Sequence, residues 1–202
     1  MRPTEILMNE HRVIEQVLNC LEELANRATA TGTVDVPAAR MAIDFFQNFA
    51  DRCHHGKEEE HLFPALEARG LPRHGGPTGV MLYEHDQGRL LIRGMILAAD
   101  AAEAGQPSAS RQFARQAYEY VQLLRNHIFK EDHRLFVMAD RLLPTEEQQR
   151  IMDCFAHVEK EHMGEGTHEK YLALADDLAY RLHVPRSATV THTGCGCGHG
   201  TH

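Results

Sequence analysis

The chain has 202 residues, 43% of them hydrophobic, and a formal net charge of -8. This length allows one good hydrophobic core, and the acidic balance argues against nucleic acid or an anionic membrane as a partner. No apolar run approaches membrane-spanning length and the first residues lack the apolar stretch of a signal peptide, so we expect a cytoplasmic protein.

The spacing of apolar residues predicts helices and no convincing strand alternation. Thr4, Ser108 and Thr145 each precede or open an apolar-periodic run, as N-capping residues do. Prolines and glycines mark the connections between the runs. The predicted helical segments cover about residues 4–29, 37–68, 78–104, 108–143 and 144–184.

Four long helices with short connections predict an all-α fold, an antiparallel up-down-up-down four-helix bundle over residues 1–143. A C-terminal helical extension, residues 144–184, is expected to pack on this bundle and to be interrupted at "GEGTH". Residues 185–202 are rich in Gly, Thr and His without an apolar period, which predicts a flexible tail. Metal binding by Cys195 and Cys197 in this tail is the alternative to a tail without function.

Two stretches of the chain follow one pattern. "HHGKEEEHLFPALE" can be laid on "NHIFKEDHRLFVMAD" with an offset of 73 positions. A Glu-His pair is also repeated, at Glu10-His11 and Glu84-His85, with an offset of 74. The matched pairs in the first alignment are His54 with His127, Lys57 with Lys130, Glu58 with Glu131, Leu62 with Leu135, and Phe63 with Phe136.

The repeated histidines and glutamates interrupt the apolar stripes of the four long helices. In the first helix the apolar stripe is broken only by His11, and in the fourth only by His127 and Glu131. An unpaired buried carboxylate costs several kcal/mol, so about this much must be offset by a partner. A cation is the partner that suits imidazole and carboxylate together.

The spacing within the repeat brings ligands to one helix face. His and Glu at i and i+4 have Cβ atoms about 6 Å apart, so both side chains reach a common metal cluster. Each half of the repeat supplies two His and one Glu. The duplicated half therefore predicts a site for two metal ions on the bundle axis, and its six candidate ligands are His11, His54, Glu58, His85, His127 and Glu131.

This pattern resembles the hemerythrin-like family of HHE cation-binding domains over roughly residues 4–143. The resemblance implies two non-haem iron ions, oxo- or hydroxo-bridged, with the imidazoles on the irons and the two carboxylates bridging them. It further implies a protein that binds or reacts with O2, NO or peroxide, or that senses iron or redox state. Imidazole suits several divalent metals, so manganese and zinc are alternatives to iron.

The sequence departs from the oxygen-carrying hemerythrins at two positions. Arg89 stands where the carriers have a second histidine of the third helix, and Glu131 stands where they have Asp. Four imidazoles leave open or water-filled positions on both metals. We therefore expect, from sequence alone, a centre that oxidises in O2 rather than one that carries it, with peroxide or NO chemistry as its enzymatic form.

Several further residues are alternatives within this interpretation. His55 and Glu59 have the same spacing as His54 and Glu58, and only the alignment to His127 selects the latter register. Lys57, Glu59, Glu60 and Asp132 are expected on solvated faces or as partners of the ligands. Gly88 indicates either close helix packing or room for a diatomic ligand. A further ligand is possible from His157, His162, His168 or Tyr83.

Two other functions compete with a hemerythrin-like centre. A ferritin-like di-iron carboxylate oxidase would use Glu-x-x-His elements, which occur at Glu58, Glu159 and Glu165. His61 of the first element aligns with Arg134, and the other two lie beyond the four core helices. A metal-free helical interaction module is the remaining possibility.

Overall fold

The chain was studied as a computed structural model, which describes residues 1–158 and 166–185. These residues form helices and no strand, which confirms the all-α prediction. Among them, no helix is both long and apolar enough to cross a membrane. His162 and the predicted tail with Cys195 and Cys197 fall outside the described ranges. The helices are α1 (Pro3–Thr31), α2 (36–68), α3 (Pro77–Glu103), α4 (109–142), α5 (Thr145–Val158) and α6 (Thr167–Leu182).

Local chemistry explains where several helices begin and end. The side chain of Asp35 accepts a hydrogen bond from the backbone N–H of Ala38 at 3.1 Å and caps α2. Gly32 ends α1 with φ 73°, a left-handed conformation that glycine adopts without strain. The predicted cap Thr4 is wrong, whereas Ser108 stands at the N-cap position of α4 as predicted. Thr4 lies inside α1, with its hydroxyl bonded to Asp140 at 2.7 Å, and the Ser108 side chain makes no capping hydrogen bond.

π-helical turns interrupt α2 and α4 near the repeated residues. Glu58–Leu62 in α2 and Glu131–Leu135 in α4 are π-helical, and each ends in an i to i+5 hydrogen bond to the following phenylalanine. The two turns are related by the same offset of 73 as the sequence repeat. A further π-helical stretch, Phe46–His55, is found in α2. Such turns are frequent at functional sites because they redirect side chains.

The four long helices pack against one another in a ring. α1 packs on α2 and α4, and α3 packs on α2 and α4. α5 lies against α1 and the π-helical turn Glu58–Leu62 of α2, while α6 lies against α1 and α2. This packing brings the repeated histidines and glutamates of all four helices toward one interior.

A polar layer separates two apolar clusters in this interior. One cluster contains Ile14, Ala50 and Leu124 together with α6 residues such as Leu178. The other contains Leu7, Leu62, Met81 and Leu135 together with Phe155 of α5. The histidines and glutamates of the repeat lie between the two clusters along each helix, so they are enclosed by apolar side chains on both sides.

Candidate metal centre

Seven buried side chains form two ligand groups that share Glu58. Within each group the candidate ligand atoms lie within 4.8 Å of one another. All seven residues are at most 4% exposed. The six residues that the sequence singled out are all present, together with His55. One group is His55, Glu58, His85 and His127, and the other is His11, His54, Glu58 and Glu131.

His55 is the candidate ligand that the repeat alignment passed over in favour of its neighbour. In an α-helix successive side chains diverge by about 100°, so adjacent histidines rarely face one site. His54 and His55 end the π-helical stretch of α2, whose wider turns bring successive side chains closer in direction. The His55 ring stacks on the His85 ring with centroids 3.8 Å apart. The site therefore holds five imidazoles.

Each imidazole directs its Nδ1 toward a carboxylate that belongs to neither group. An ionised carboxylate only accepts hydrogen bonds, so Nδ1 carries the proton and Nε2 keeps a lone pair for a metal. These carboxylates therefore fix both the tautomer and the orientation of the rings. The pairs are His11–Asp132 at 2.7 Å, His54–Glu10 at 2.9 Å, His85–Glu59 at 2.7 Å, His127–Glu84 at 3.0 Å and His55–Asp51 at 3.4 Å.

A basic side chain donates to each of these carboxylates in turn. Lys57, although fully buried, donates to Glu10, and its ammonium lies 5.6 Å from the centre of the Phe155 ring. Burial opposes ionisation of these carboxylates, but their charged and hydrogen-bonded partners outweigh it at Glu10, Asp51 and Glu84 and lower the pKa of each. At Glu59, in contrast, burial prevails over Arg89 and the pKa is raised. The complete set is Lys57–Glu10, Arg12–Asp132, Lys130–Glu84, Arg89–Asp51 and Arg89–Glu59.

The sequence repeat extends to this outer layer. Glu10 supports His54 as Glu84 supports His127, and each carboxylate is paired with a lysine three residues after the histidine. The acidic residue after each candidate bridging glutamate supports a histidine too, Glu59 for His85 and Asp132 for His11. Lys57, Glu59 and Asp132, which were expected either on solvated faces or as partners of the ligands, are thus partners of the ligands. Glu60 is exposed.

The carboxyl groups of Glu58 and Glu131 differ in their electrostatics. Burial and the negative charge of Glu131 raise the pKa of Glu58 well above its ordinary value. Burial also opposes ionisation of Glu131, but the charge of His127 outweighs it and lowers the Glu131 pKa well below its ordinary value. Burial disfavours charge on His127, yet the carboxylates of Glu131 and Glu84 raise its pKa to about 9. In the metal-free chain, protons therefore stand in for cations at these positions.

The inward atoms of the site fit a bound cation. Four carboxylate oxygens and two imidazole nitrogens are buried without a hydrogen bond; Glu131 Oε2 has an ion-pair contact with His127 Nε2 at 3.2 Å, and a group without any such partner costs about 1–3 kcal/mol. The Nε2 atoms of His85 and His127 face each other at 3.1 Å, as two lone pairs do only around a proton or a metal. The buried atoms are His11 Nε2, His54 Nε2 and both Oε atoms of Glu58 and of Glu131.

The other candidate ligands lie elsewhere. His157 is exposed, and Tyr83 is 65% exposed. The His168 ring lies against Phe49, with centroids 5.4 Å apart. A Cβ on Gly88 would lie 3.5 Å from Tyr120, an ordinary contact, so the packing of α3 on α4 would accommodate a methyl group there. Among the described residues, none of these belongs to either ligand group.

Comparison with known proteins agrees with this geometry. The family model of the hemerythrin HHE cation binding domain matches residues 2–139. Similar relatives include uncharacterized proteins of Mycobacterium bovis and of two strains of Mycobacterium tuberculosis. Each is 25% identical over 180 residues, which cover 89% of this chain and 70% of the relative. No solved structure matches the chain.

The family match spans more than half of the chain and includes every residue of the two ligand groups. The same segment carries the sequence repeat and the five supported imidazoles. The chain therefore belongs to the hemerythrin family of HHE cation-binding domains.

Proposed function

We propose that the chain is a non-haem di-iron protein, built as an up-down-up-down four-helix bundle, that binds one small ligand such as O2 at an asymmetric metal pair. The observation that carries this proposal is the unequal sharing of imidazoles, three in one group and two in the other. Each group has four residues, but Glu131 also lies beside His127 of the other group, so it would serve both ions; the two-imidazole ion would then have one protein ligand fewer and keep a position for an exchangeable ligand. The two groups therefore favour one exchangeable position for each pair of metal ions.

The residues divide between two ions in this proposal. His55, His85 and His127 would hold one iron, and His11 and His54 would hold the other. Glu58, which belongs to both groups, and Glu131, whose Oε2 lies 3.3 Å from His11 Nε2 and 3.2 Å from His127 Nε2, would each offer ligand atoms to both irons. A ferrous pair bound there supplies coordination and electrons for a small diatomic molecule.

The protein's own contribution is orientation and the exclusion of water. The outer carboxylates fix the five rings through Nδ1, and the apolar clusters on both sides enclose the site. Phe136 stacks on His11 with ring centroids 5.5 Å apart, at the two-imidazole end. Reduced oxygen species need protons to leave, and an apolar enclosure limits their supply. This favours reversible binding of an uncharged diatomic ligand over its reduction.

The proposal differs from the expectation of an oxidising centre, which assumed four imidazoles. His55 is a fifth, and it joins the group of His85. A ferritin-like carboxylate oxidase is disfavoured because the two groups contain five imidazoles and only two carboxylates. His61, the histidine of the Glu58-x-x-His element, lies beside Phe155 instead, with ring centroids 6.3 Å apart.

Reversible uptake of O2 is the expected behaviour of the ferrous protein. The iron-loaded, reduced chain should change its absorption spectrum on exposure to O2 and regain the ferrous spectrum on degassing, through repeated cycles. NO should bind in a ratio of one per two irons. Permanent oxidation on the first exposure would favour an oxidase, and two NO per iron pair would contradict the unequal distribution of imidazoles.

Binding of ferrous iron should release protons. His127 has a pKa of about 9 in the metal-free chain, so it is protonated at pH 7.5 and must lose that proton to bind a metal. The affinity should rise about tenfold per pH unit for each proton released, and this dependence should flatten above about pH 9. Anaerobic calorimetry in buffers of different ionisation enthalpy measures the release. An identical heat in all buffers would show that no proton is displaced.

A further inference from the structure

One arginine of α3 connects two of the imidazoles in the three-imidazole group. The Nε of Arg89 donates to Asp51 at 2.9 Å, and its Nη2 donates to Glu59 at 2.7 Å. Asp51 accepts from His55 and Glu59 accepts from His85. A single guanidinium thus supports two rings that belong to one ligand group.

The other imidazoles have separate supports. Each of the carboxylates at His11, His54 and His127 is paired with a basic residue of its own. Arg89 also meets Asp86, at 3.1 Å, so three carboxylates converge on its guanidinium. Carboxylates at this separation repel one another, and a planar fork of N–H donors is the side chain suited to holding several of them in fixed directions.

The support of His55 exists in one half of the repeat only. The offset of 73 places Ile128 opposite His55 and Leu124 opposite Asp51, and the offset of 74 places Glu15 opposite Arg89. Ile128 cannot replace the imidazole of His55, Leu124 cannot replace the acceptor Asp51, and Glu15 cannot replace the cation Arg89. His55, Asp51 and Arg89 therefore occur together, as members of one unit are expected to do.

We propose that Arg89 is a positioning residue that holds Asp51 and Glu59 in place, so that His55 and His85 present their rings to the same metal ion. Arg89 stands where the oxygen-carrying hemerythrins have a second histidine of the third helix. In this chain it instead supports His55, an imidazole that comes from α2. This inference rests on the proposed function, since it assigns Arg89 to one of the two metal positions.

The test compares Arg89→Gln with Arg125→Gln in the full chain. Arg125 is a matched control because it is 40% exposed against 31% for Arg89 and also makes a forked pair, with Glu22, across two helices. The more exposed Arg125 pair contributes about 0–1 kcal/mol, so metal-free Arg125→Gln should melt close to the wild type, whereas Arg89→Gln leaves part-buried carboxylates without their cation and should melt lower. The affinities for the first and second ferrous ions are measured anaerobically by competition with a chelator.

Arg89→Gln should weaken one of the two iron sites by about 10–100-fold and leave the other unchanged. Arg125→Gln should change neither site, and Arg89→Lys, which keeps the charge without the fork, should recover only part of the affinity. Unchanged affinities in Arg89→Gln would overturn the inference. So would an equal loss at both sites, which indicates a general structural role. Fewer than two irons in the wild type would instead refute the proposed function.

Discussion

Replacing Glu58 by Gln should release both metal ions and lower the melting temperature of the protein in iron-containing buffer. Glu58 is the one residue that the two ligand groups share. A ligand at 1,000 times its Kd stabilises a protein by about 4 kcal/mol, and about 2–4 °C of melting temperature corresponds to each kcal/mol at this size. We therefore expect a loss of about 8–16 °C. Calorimetric melting and iron analysis of the same sample measure the two effects.

In the metal-free protein the same substitution should have the opposite sign. The raised pKa of Glu58 means that the folded chain binds a proton which the unfolded chain releases above its ordinary pKa. The stability that protonated Glu58 contributes is complete below that ordinary pKa and is lost as the pH rises through the raised pKa. The advantage of Gln over Glu58 therefore grows toward neutral and alkaline pH. Metal-free Glu58→Gln should melt at or above the wild type at pH 7.5. A lower melting temperature would show that Glu58 is satisfied without metal.

Glu131→Gln is the matched control for this experiment. Burial opposes ionisation of the Glu131 carboxylate, but the charge of His127 outweighs it and holds the Glu131 pKa low. Removal of this carboxylate leaves a buried protonated imidazole without its counter-ion, so the metal-free variant should be destabilised. Opposite signs for Glu58→Gln and Glu131→Gln without metal, and weakened iron binding in both, are the expected combination.

The substitution His55→Ile should change the number of small ligands that the iron pair binds. Isoleucine is the residue that the other half of the repeat has at the equivalent position, Ile128, which is 3% exposed. The variant would have two imidazoles in each group and thus an exchangeable position on each metal. At saturating ferrous iron we expect NO binding to rise from one to two per iron pair, measured by titration with iron counted in the same sample.

His157→Ile provides the control for the ligand count, because His157 is exposed and belongs to neither ligand group. It should retain one NO per iron pair. If His55→Ile also bound a single NO with both irons present, His55 would not occupy a metal position, and the asymmetry of the site would need another origin.

Much of the site follows from periodicity in the sequence. Histidines and glutamates that recur within apolar stripes can be recognised as an interior cluster because burial of such groups needs a partner. The internal repeat then related the two halves; the offset of 73 reappears in the π-helical turns, and the outer carboxylates Glu10 and Glu84 repeat with the offset of 74. The helical class of the chain was equally readable from the 3.6-residue period.

His55 and its support were not readable from the same reasoning. The repeat selects residues that are present in both halves, whereas His55, Asp51 and Arg89 occur in one half. The α-helical period also assigns adjacent residues to different faces, and the π-helical stretch Phe46–His55 breaks that rule. A weak signal existed in the i, i+4 pair of Asp51 and His55, which places an acceptor within reach of the ring.

Helix ends were predicted less well than helix interiors. Thr4 and Ser108 have the residue types of N-caps, but a tertiary contact decides the role of Thr4, and the Ser108 hydroxyl accepts a hydrogen bond from the Gln112 side chain at 3.4 Å instead of capping the helix. Thr4 bonds to Asp140 of α4, and Arg2 bonds to Glu5 and Asp140 at the start of α1. Long-range partners of this kind are invisible to a reading of local sequence.

The distribution of two irons over five imidazoles and two carboxylates is the central claim, and diffraction from crystals of the iron-loaded chain at the iron absorption edge tests it most directly. We predict two anomalous peaks, one bonded to His55, His85 and His127, the other to His11 and His54, with Glu58 and Glu131 bonded to both. A single peak, a peak pair in which His55 is not a ligand, or iron held by Cys195 and Cys197 would contradict it.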